Sequence, residues 1–276
     1  MVMNQLALFQ SYKPTLVRVT VQTPAGDMST GTAFHIGDGW LVTAAHVLKD
    51  GALQELVSEH LATPLTVESV IFNKDDRIDL ALMKTDLDLS HYLHKTTIHE
   101  APDGFVKTDH IEIGGHLDDW LGNELVLSKV LLMGYPPIPF SQRAVLVASE
   151  GEVNAVVDKY NGPHPHFIIS CPARGGFSGG PVLSEYGFLL GVLTESLVMN
   201  DKAAEAGYSS AISIEPLLVM LHDYGIYPGK NRQIIEVLLD GVGHDFAMPS
   251  RSSRLSRFIK ASKEKIRTLV WQPRRM

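Results

Sequence analysis

Short runs of alternating apolar and polar residues, broken by glycine and aspartate, fill residues 15–84. Leu16-Val17-Arg18-Val19-Thr20-Val21 alternates. Residues 31–36 and Trp40-Leu41-Val42-Thr43 flank Gly37-Asp38-Gly39, which predicts a hairpin. Residues 66–72 and 78–83 predict two further strands. In the second of these, Ile78, Leu80 and Leu82 share one face. That face is predicted to be buried, with Asp79 on the other.

Residues 85–125 are rich in His, Asp and Gly and carry little periodicity, so they read as a loop-rich connection between two halves. Strand patterns resume at 128–136, 144–147, 151–157, 166–170, 188–194 and 208–214. Many short strands at regular spacing predict an all-β fold of barrels or sandwiches. The period then changes. Pro216 in the first turn of a run from Ile214 predicts a helix, and residues 231–239 predict another. From Leu255 on, Phe258, Ile259, Ile266, Leu269 and Val270 keep helical spacing, with basic residues opposite.

Bulk composition narrows the class. The 276 residues are 45% hydrophobic and 20% charged, as in an ordinary globular protein. Cys171 is the one cysteine, so no internal disulfide forms, which suits a reducing compartment. The first nine residues lack a basic start and a sustained apolar run, and no stretch has the length of a membrane span. The expected location is cytoplasmic. Net charge is −7 but uneven. From Arg251 onward stand nine of the 24 Lys/Arg and one of the 31 acids, so the tail is near +8 and the rest near −15.

The chemistry concentrates in three places. Gly176-Phe177-Ser178-Gly179-Gly180-Pro181 offers a hydroxyl nucleophile among glycines whose backbone can aim N–H groups at one point. A serine hydroxyl needs a base, and the base needs an orienting partner. Thr43-Ala44-Ala45-His46-Val47 and Asp79-Leu80-Ala81-Leu82 supply both, in the chain order His, Asp, Ser. Asp75 and Asp76 are rivals to Asp79, but they sit in a turn-like run. The same glycine pattern also fits the G-x-S-x-G elbow of α/β-hydrolases, with Asp240 and His244 or His222 as partners. That elbow must lead into a helix, and Gly-Gly-Pro followed by Val182-Leu183 is a poor helix start. Among the 12 histidines, His91, His94, His99, His110 and His116 crowd one region. No Cys pair or His-Glu-x-x-His motif joins them, so they read as a polar surface loop rather than a metal site.

These three motifs resemble the signatures of the trypsin/chymotrypsin-like serine protease family. The form is closer to the bacterial type, related to the high-temperature-requirement proteases, than to secreted digestive enzymes. The resemblance spans residues 15–220. It implies two antiparallel β-barrels of the chymotrypsin type with the active site between them, and C-terminal helices. The implied organisation is a first barrel with its connecting loop over 1–125, a second over 126–225, and a helical extension with the basic tail over 226–276.

The resemblance also implies roles: His46 as general base, Asp79 as its orienting partner, Ser178 as nucleophile, and the N–H groups of Gly176 and Ser178 as oxyanion hole. It puts Pro172 at the base of the primary pocket, Thr194, Glu195 and Ser196 on its wall, and Tyr208, Ser209 and Ser210 along another side. With no acid at Pro172, a small or apolar residue is expected before the scissile bond. The usual disulfides are absent. Digestive members carry an acid where this chain has Phe177, so activation by a terminal ammonium is not expected.

The reading is therefore a serine endopeptidase acting on protein or peptide substrates through an acyl-enzyme, with no cofactor and no metal. Residues 251–275 are expected to dock on the acidic body or on a regulatory partner; nucleic acid and membrane surfaces rank below these. The alternatives are a catalytically silent protease-fold binding module and, lower, an α/β-hydrolase esterase.

Overall fold

A computed structural model describes residues 5–90, 108–113, 125–158, 164–171, 175–196 and 207–229. Six antiparallel strands form the first half: β1 (Leu16–Gln22), β2 (Met28–Gly37), β3 (Trp40–Thr43), β4 (Ala52–Ser58), β5 (Val67–Phe72) and β6 (Ala81–Thr85). Their order is β4-β1-β2-β3-β6-β5, a half-barrel. The second half is a closed six-stranded barrel of β7 (Lys129–Gly134), β8 (Val147–Asp158), β9 (Pro165–Ile169), β10 (Pro181–Ser184), β11 (Leu189–Ser196) and β12 (Ser209–Ser213). Pairing of β10 with β7 closes the ring, which leaves no free edge. Three α-helices, α1 (Gln5–Tyr12), α2 (Ala45–Lys49) and α3 (Glu215–Asp223), and one turn of 3-10 helix (Lys13–Thr15) complete the described elements.

Local chemistry accounts for the hairpin between β2 and β3. Gly37, Asp38 and Gly39 all have positive φ, at 118°, 49° and 72°. A Cβ on Gly39 would meet the Thr85 carbonyl at 2.3 Å, so glycine alone fits there.

The central strands of the first sheet, β1, β2, β3 and β6, are largely buried on both faces. Val17, Val19, Val21, Ala33, Leu41 and Met83 pack into one cluster inside the half-barrel. Leu16, Phe34, Ile36, Val42, Leu80 and Leu82 point the other way, into a cluster shared with Val130, Leu132 and Val182 of the second barrel. Each fully buried aliphatic or Phe side chain contributes about 1.5–3 kcal/mol. This corrects the one-sided burial expected for residues 78–83. Ile78, Leu80 and Leu82 are buried, but Ala81 and Met83 are as well, and β6 begins only at Ala81. Asp79 therefore lies on the approach to the strand.

Other departures have physical causes. Residues 144–146 of the strand expected at 144–147 are not strand; Val147 instead opens one continuous β8 that takes in the strand expected at 151–157, paired to β7 and then to β9 with a register shift between Val153 and Ala155. Gly151 marks a close approach, not a break: a Cβ there would meet Ile169 Cγ2 at 2.9 Å. Strand β4 and helix α1 are not anticipated by the sequence pattern. Within the expected loop 85–125, Ile111 and Ile113 are fully buried. The Ile111 N–H donates to the His35 carbonyl (2.8 Å), and Ile113 bridges to Leu189. Helix α3 has Pro216 in its first turn, as read from sequence. The helices expected at 231–239 and beyond 255 lie outside the described residues.

Two tyrosines reach across the halves. Tyr12 on α1 donates its hydroxyl to the Gly187 carbonyl at 2.8 Å, and Tyr135 after β7 donates to the Leu16 carbonyl at 3.5 Å. Burial pushes both hydroxyls well above the usual tyrosine range.

Candidate active site

Strand β3 ends at Thr43, Ala44 stays extended, and α2 starts at Ala45. This strand-to-helix corner presents His46. Its Nδ1 lies 2.7 Å from Asp79 Oδ2, while Asp79 Oδ1 accepts the backbone N–H of His46 at 2.8 Å. One carboxylate thus holds the ring and its backbone together. A carboxylate facing Nδ1 favours the tautomer with its proton there and leaves the Nε2 lone pair available. Burial works to lower the imidazole pKa. The hydrogen bond and charge of Asp79, assisted by Asp50, outweigh it and hold the ring above its ordinary value.

The rival acids are committed elsewhere. Asp75 pairs with Arg77 at 2.6 Å, and Asp76 with Lys49 at 2.9 Å. Asp75 also accepts the Arg77 backbone N–H, and its carbonyl accepts from Ile78 (2.9 Å). That turn delivers Asp79 to His46.

Ser178 sits on a tight loop leading into β10. Gly176 has φ +96°, and a Cβ there would meet the Tyr135 carbonyl at 2.3 Å. Gly179 has φ +84°, and a Cβ there would meet the Thr32 carbonyl and Thr43 Oγ1, both at 2.2 Å. The loop therefore lies flush against the paired β2 and β3 strands that lead to His46. The Thr32 N–H donates to the Ser178 carbonyl at 2.9 Å across the seam. Gly179 N–H donates to the Leu193 carbonyl (2.7 Å), and Gly180 N–H to the Phe177 carbonyl (2.8 Å). Among the described residues, the N–H groups of Gly176 and Ser178 donate no hydrogen bond, and the partly exposed Ser178 hydroxyl makes none. Phe177 is buried in the core beneath.

A model of the trypsin-like peptidase domain matches residues 31–192, a span that includes His46, Asp79 and Ser178. The chain belongs to the trypsin-like peptidase family. This peptidase is a serine protease. No curated protein matches it. Among solved structures it is similar to the Rv3671c protease from M. tuberculosis in its active form. The TM-score is 0.56 at 17% identity, covering 81% of this chain and 87% of that one. It is also similar to the HtrA-type protease AlgW with tripeptide (TM-score 0.57, 17% identity, 85% and 72% covered). A third is the serine endoprotease from Yersinia pestis (TM-score 0.52, 18% identity, 81% and 67% covered). These likenesses concern the fold.

The expected pocket residues of the peptidase fall along one ladder. Register between β11 and β12 shifts between Leu193 and Glu195, so Thr194 is the bulge residue. Thr194 is buried and donates to the Ser210 carbonyl at 3.2 Å, whereas Glu195 is exposed. Ser196 pairs with Ser209, whose hydroxyl donates to the Cys171 carbonyl. Ser210 is buried and Tyr208 exposed. Cys171 is buried against Ser149 Oγ. Pro172 lies outside the described residues.

The nucleophile-elbow alternative is overturned by the fold, because a strand, β10, follows Ser178 where the elbow needs a helix. His222 Nδ1 faces the Tyr227 hydroxyl at 3.2 Å; Asp240 and His244 lie outside the described residues. So do His91, His94, His99 and His116, while His110 is buried with Nδ1 2.6 Å from Asp109 Oδ1. Sequence reasoning missed Thr32. Its only signal is a hydroxyl between Gly31 and the apolar Ala33-Phe34 of a buried strand.

Proposed function

We propose that this protease is a cytoplasmic endopeptidase that cleaves peptide bonds through a covalent acyl-enzyme on Ser178. Ser178 Oγ attacks the scissile carbonyl carbon while His46 Nε2 takes the hydroxyl proton. The carbonyl oxygen, now an anion, is received by the N–H groups of Gly176 and Ser178. His46 then returns its proton to the leaving amine as the C–N bond breaks. Water attacks the ester by the same route in reverse, releasing the acid and restoring the Ser178 hydroxyl. Asp79 keeps the imidazole in the required tautomer throughout.

The observation that carries this reading is the two-point hold of Asp79 on His46, one oxygen on the ring and one on the backbone. Substrate binding then tightens the Ser178–His46 approach, as is common when a free site closes on its ligand. A peptide substrate agrees with the tripeptide in the similar AlgW structure. The lone cysteine supports a reducing compartment. The opposite charges of tail and body support regulation through residues 251–275, by self-docking or by a partner.

A fluorophosphonate probe tests the chemistry. The wild-type chain should be labelled at Ser178, and Ser178→Ala should abolish labelling. A folded wild-type chain that never reacts would instead be a silent binding module.

A further inference from the structure

The loop carrying Ser178 lacks an ionic anchor at Phe177, yet its backbone is held in place. Three successive carbonyls show how. The Phe177 carbonyl is held within the loop by Gly180 N–H (2.8 Å). Those on either side are both held by Thr32, a fully buried residue of β2 in the other half. Thr32 Oγ1 donates to the Gly176 carbonyl at 2.6 Å, and Thr32 N–H donates to the Ser178 carbonyl at 2.9 Å. The same hydroxyl accepts the Tyr135 N–H at 3.0 Å, which fixes its direction. The Thr32 carbonyl in turn accepts from Thr43 Oγ1 at 2.7 Å, three residues before His46.

We propose that Thr32 is a positioning residue for the oxyanion hole, gripping the serine loop on both sides of Phe177 and tying it to the strand that leads to His46. The inference rests on the proposed roles of Gly176 and Ser178. A glycine with φ +96° has little of its own to hold its peptide units in one orientation. With the Gly176 carbonyl fixed by a short bond to a buried hydroxyl, the peptide units on either side, which carry the Gly176 and Ser178 N–H groups, are restrained in orientation. Without it, the Gly176 carbonyl keeps only the longer bond from Tyr135 N–H at 3.2 Å. Preorganised donors matter most when charge develops on the oxygen, so their loss slows the bond-forming step more than it weakens prior binding.

Saturation kinetics of fluorophosphonate inactivation on the full chain separate those two effects. Thr32→Val keeps the shape and removes the hydroxyl. Its saturating rate should fall about a hundredfold, with the half-saturating concentration within about threefold of wild type. Thr32→Ser restores the hydroxyl and should return the rate to within about threefold. Thr85→Val is the control: it removes another buried hydroxyl of the same sheet, bonded to the Gly39 carbonyl at 2.9 Å. It should lower the melting temperature without changing the rate. If Thr32→Val does not fold, Thr32→Ala replaces it with the same expectation.

A wild-type rate in a folded hydroxyl-free variant overturns the inference. So does a serine variant as slow as valine, or a Thr85→Val chain that is equally slow. Those outcomes leave the protease reading standing. A wild-type chain that never labels defeats that reading and this inference with it.

Discussion

A Cβ on Gly134 would lie 2.8 Å from Phe177 Cα and 3.0 Å from its ring. Strand β7 thus ends directly under the serine loop, and Phe177 fills the space that a side chain on Gly134 would need. Burying Phe177 replaces a charge-based anchor with an apolar one.

Gly134→Ala should therefore act at a distance on Ser178. The added methyl must push backbone, not the tip of a flexible side chain. Overpacking of this kind costs about 1–3 kcal/mol. Thermal melting should show the loss, and fluorophosphonate labelling should slow along with it. A variant that melts lower but labels at the wild-type rate would separate the packing of Phe177 from the geometry of the loop.

Phe177→Asp should be worse. It puts a carboxylate at a site buried in the apolar core. An unpaired buried carboxylate either protonates or drags the loop toward water. Labelling should fail, and the melting temperature should rise toward that of wild type as pH is lowered and the acid neutralised. A stable, fully reactive Phe177→Asp chain would show that an unseen cation serves this position.

Asp79→Asn removes one of two acceptors from His46. The amide can still accept the backbone N–H, but its NH₂ then faces Nδ1 and draws the ring into the wrong tautomer. Activity should drop on the order of a thousandfold or more with little change in substrate affinity, because the geometry survives while Nε2 no longer offers a lone pair to Ser178. Asp76→Asn loses only an exposed pair with Lys49, worth about 0–1 kcal/mol, and should label normally. Reversal of that order would transfer the orienting role to Asp76.

The pH dependence follows from the raised pKa of His46. The reaction needs neutral imidazole, so the rate should fall as pH drops through a midpoint above the ordinary histidine value. For stability the sign is opposite. Protonated His46 paired with Asp79 stabilises the fold below the unfolded pKa, and this contribution disappears as pH rises through the folded pKa. NMR titration of His46 in Ser178→Ala should give the raised midpoint, and adding Asp79→Asn should lower it. Equal midpoints in the two chains would remove Asp79 as the cause.

How much of this was legible in the sequence depends on how local each feature is. The hairpin at Gly37-Asp38-Gly39, and the letters around His46 and Ser178, are contiguous motifs with their own chemistry. Strand β4 hid because it is an edge strand with weak alternation: Ala52 and Gln54 are exposed and Leu53 only partly buried. The two-sided burial of β6 hid because one-sided alternation is what its sequence suggests. Its second face packs inside the half-barrel, which only topology reveals. Thr32 was invisible for the same reason. Its decisive bond spans 144 positions, and nothing near it in the chain announces a partner.

The tail offers a test from charge alone. If residues 251–275 dock on the acidic body, the labelling rate of the full chain should change with ionic strength, because salt screens the attraction. A chain ending at Ser250 should not respond. Identical salt profiles would remove the docking idea.

The cluster shared by Leu16, Phe34 and Val42 with Val130 and Val182 also bears on the timing of synthesis. The ring of the second barrel closes only when β10 reaches β7, and β10 emerges after Ser178. Until then His46 and Asp79 have no nucleophile to serve, and the apolar back of the first sheet lacks the part of its cover that β10–β12 bring, such as Val182, Val192 and Ile212. A growing chain is therefore chemically harmless to its neighbours but adhesive. Its activity should switch on in one cooperative step, as the last strands dock.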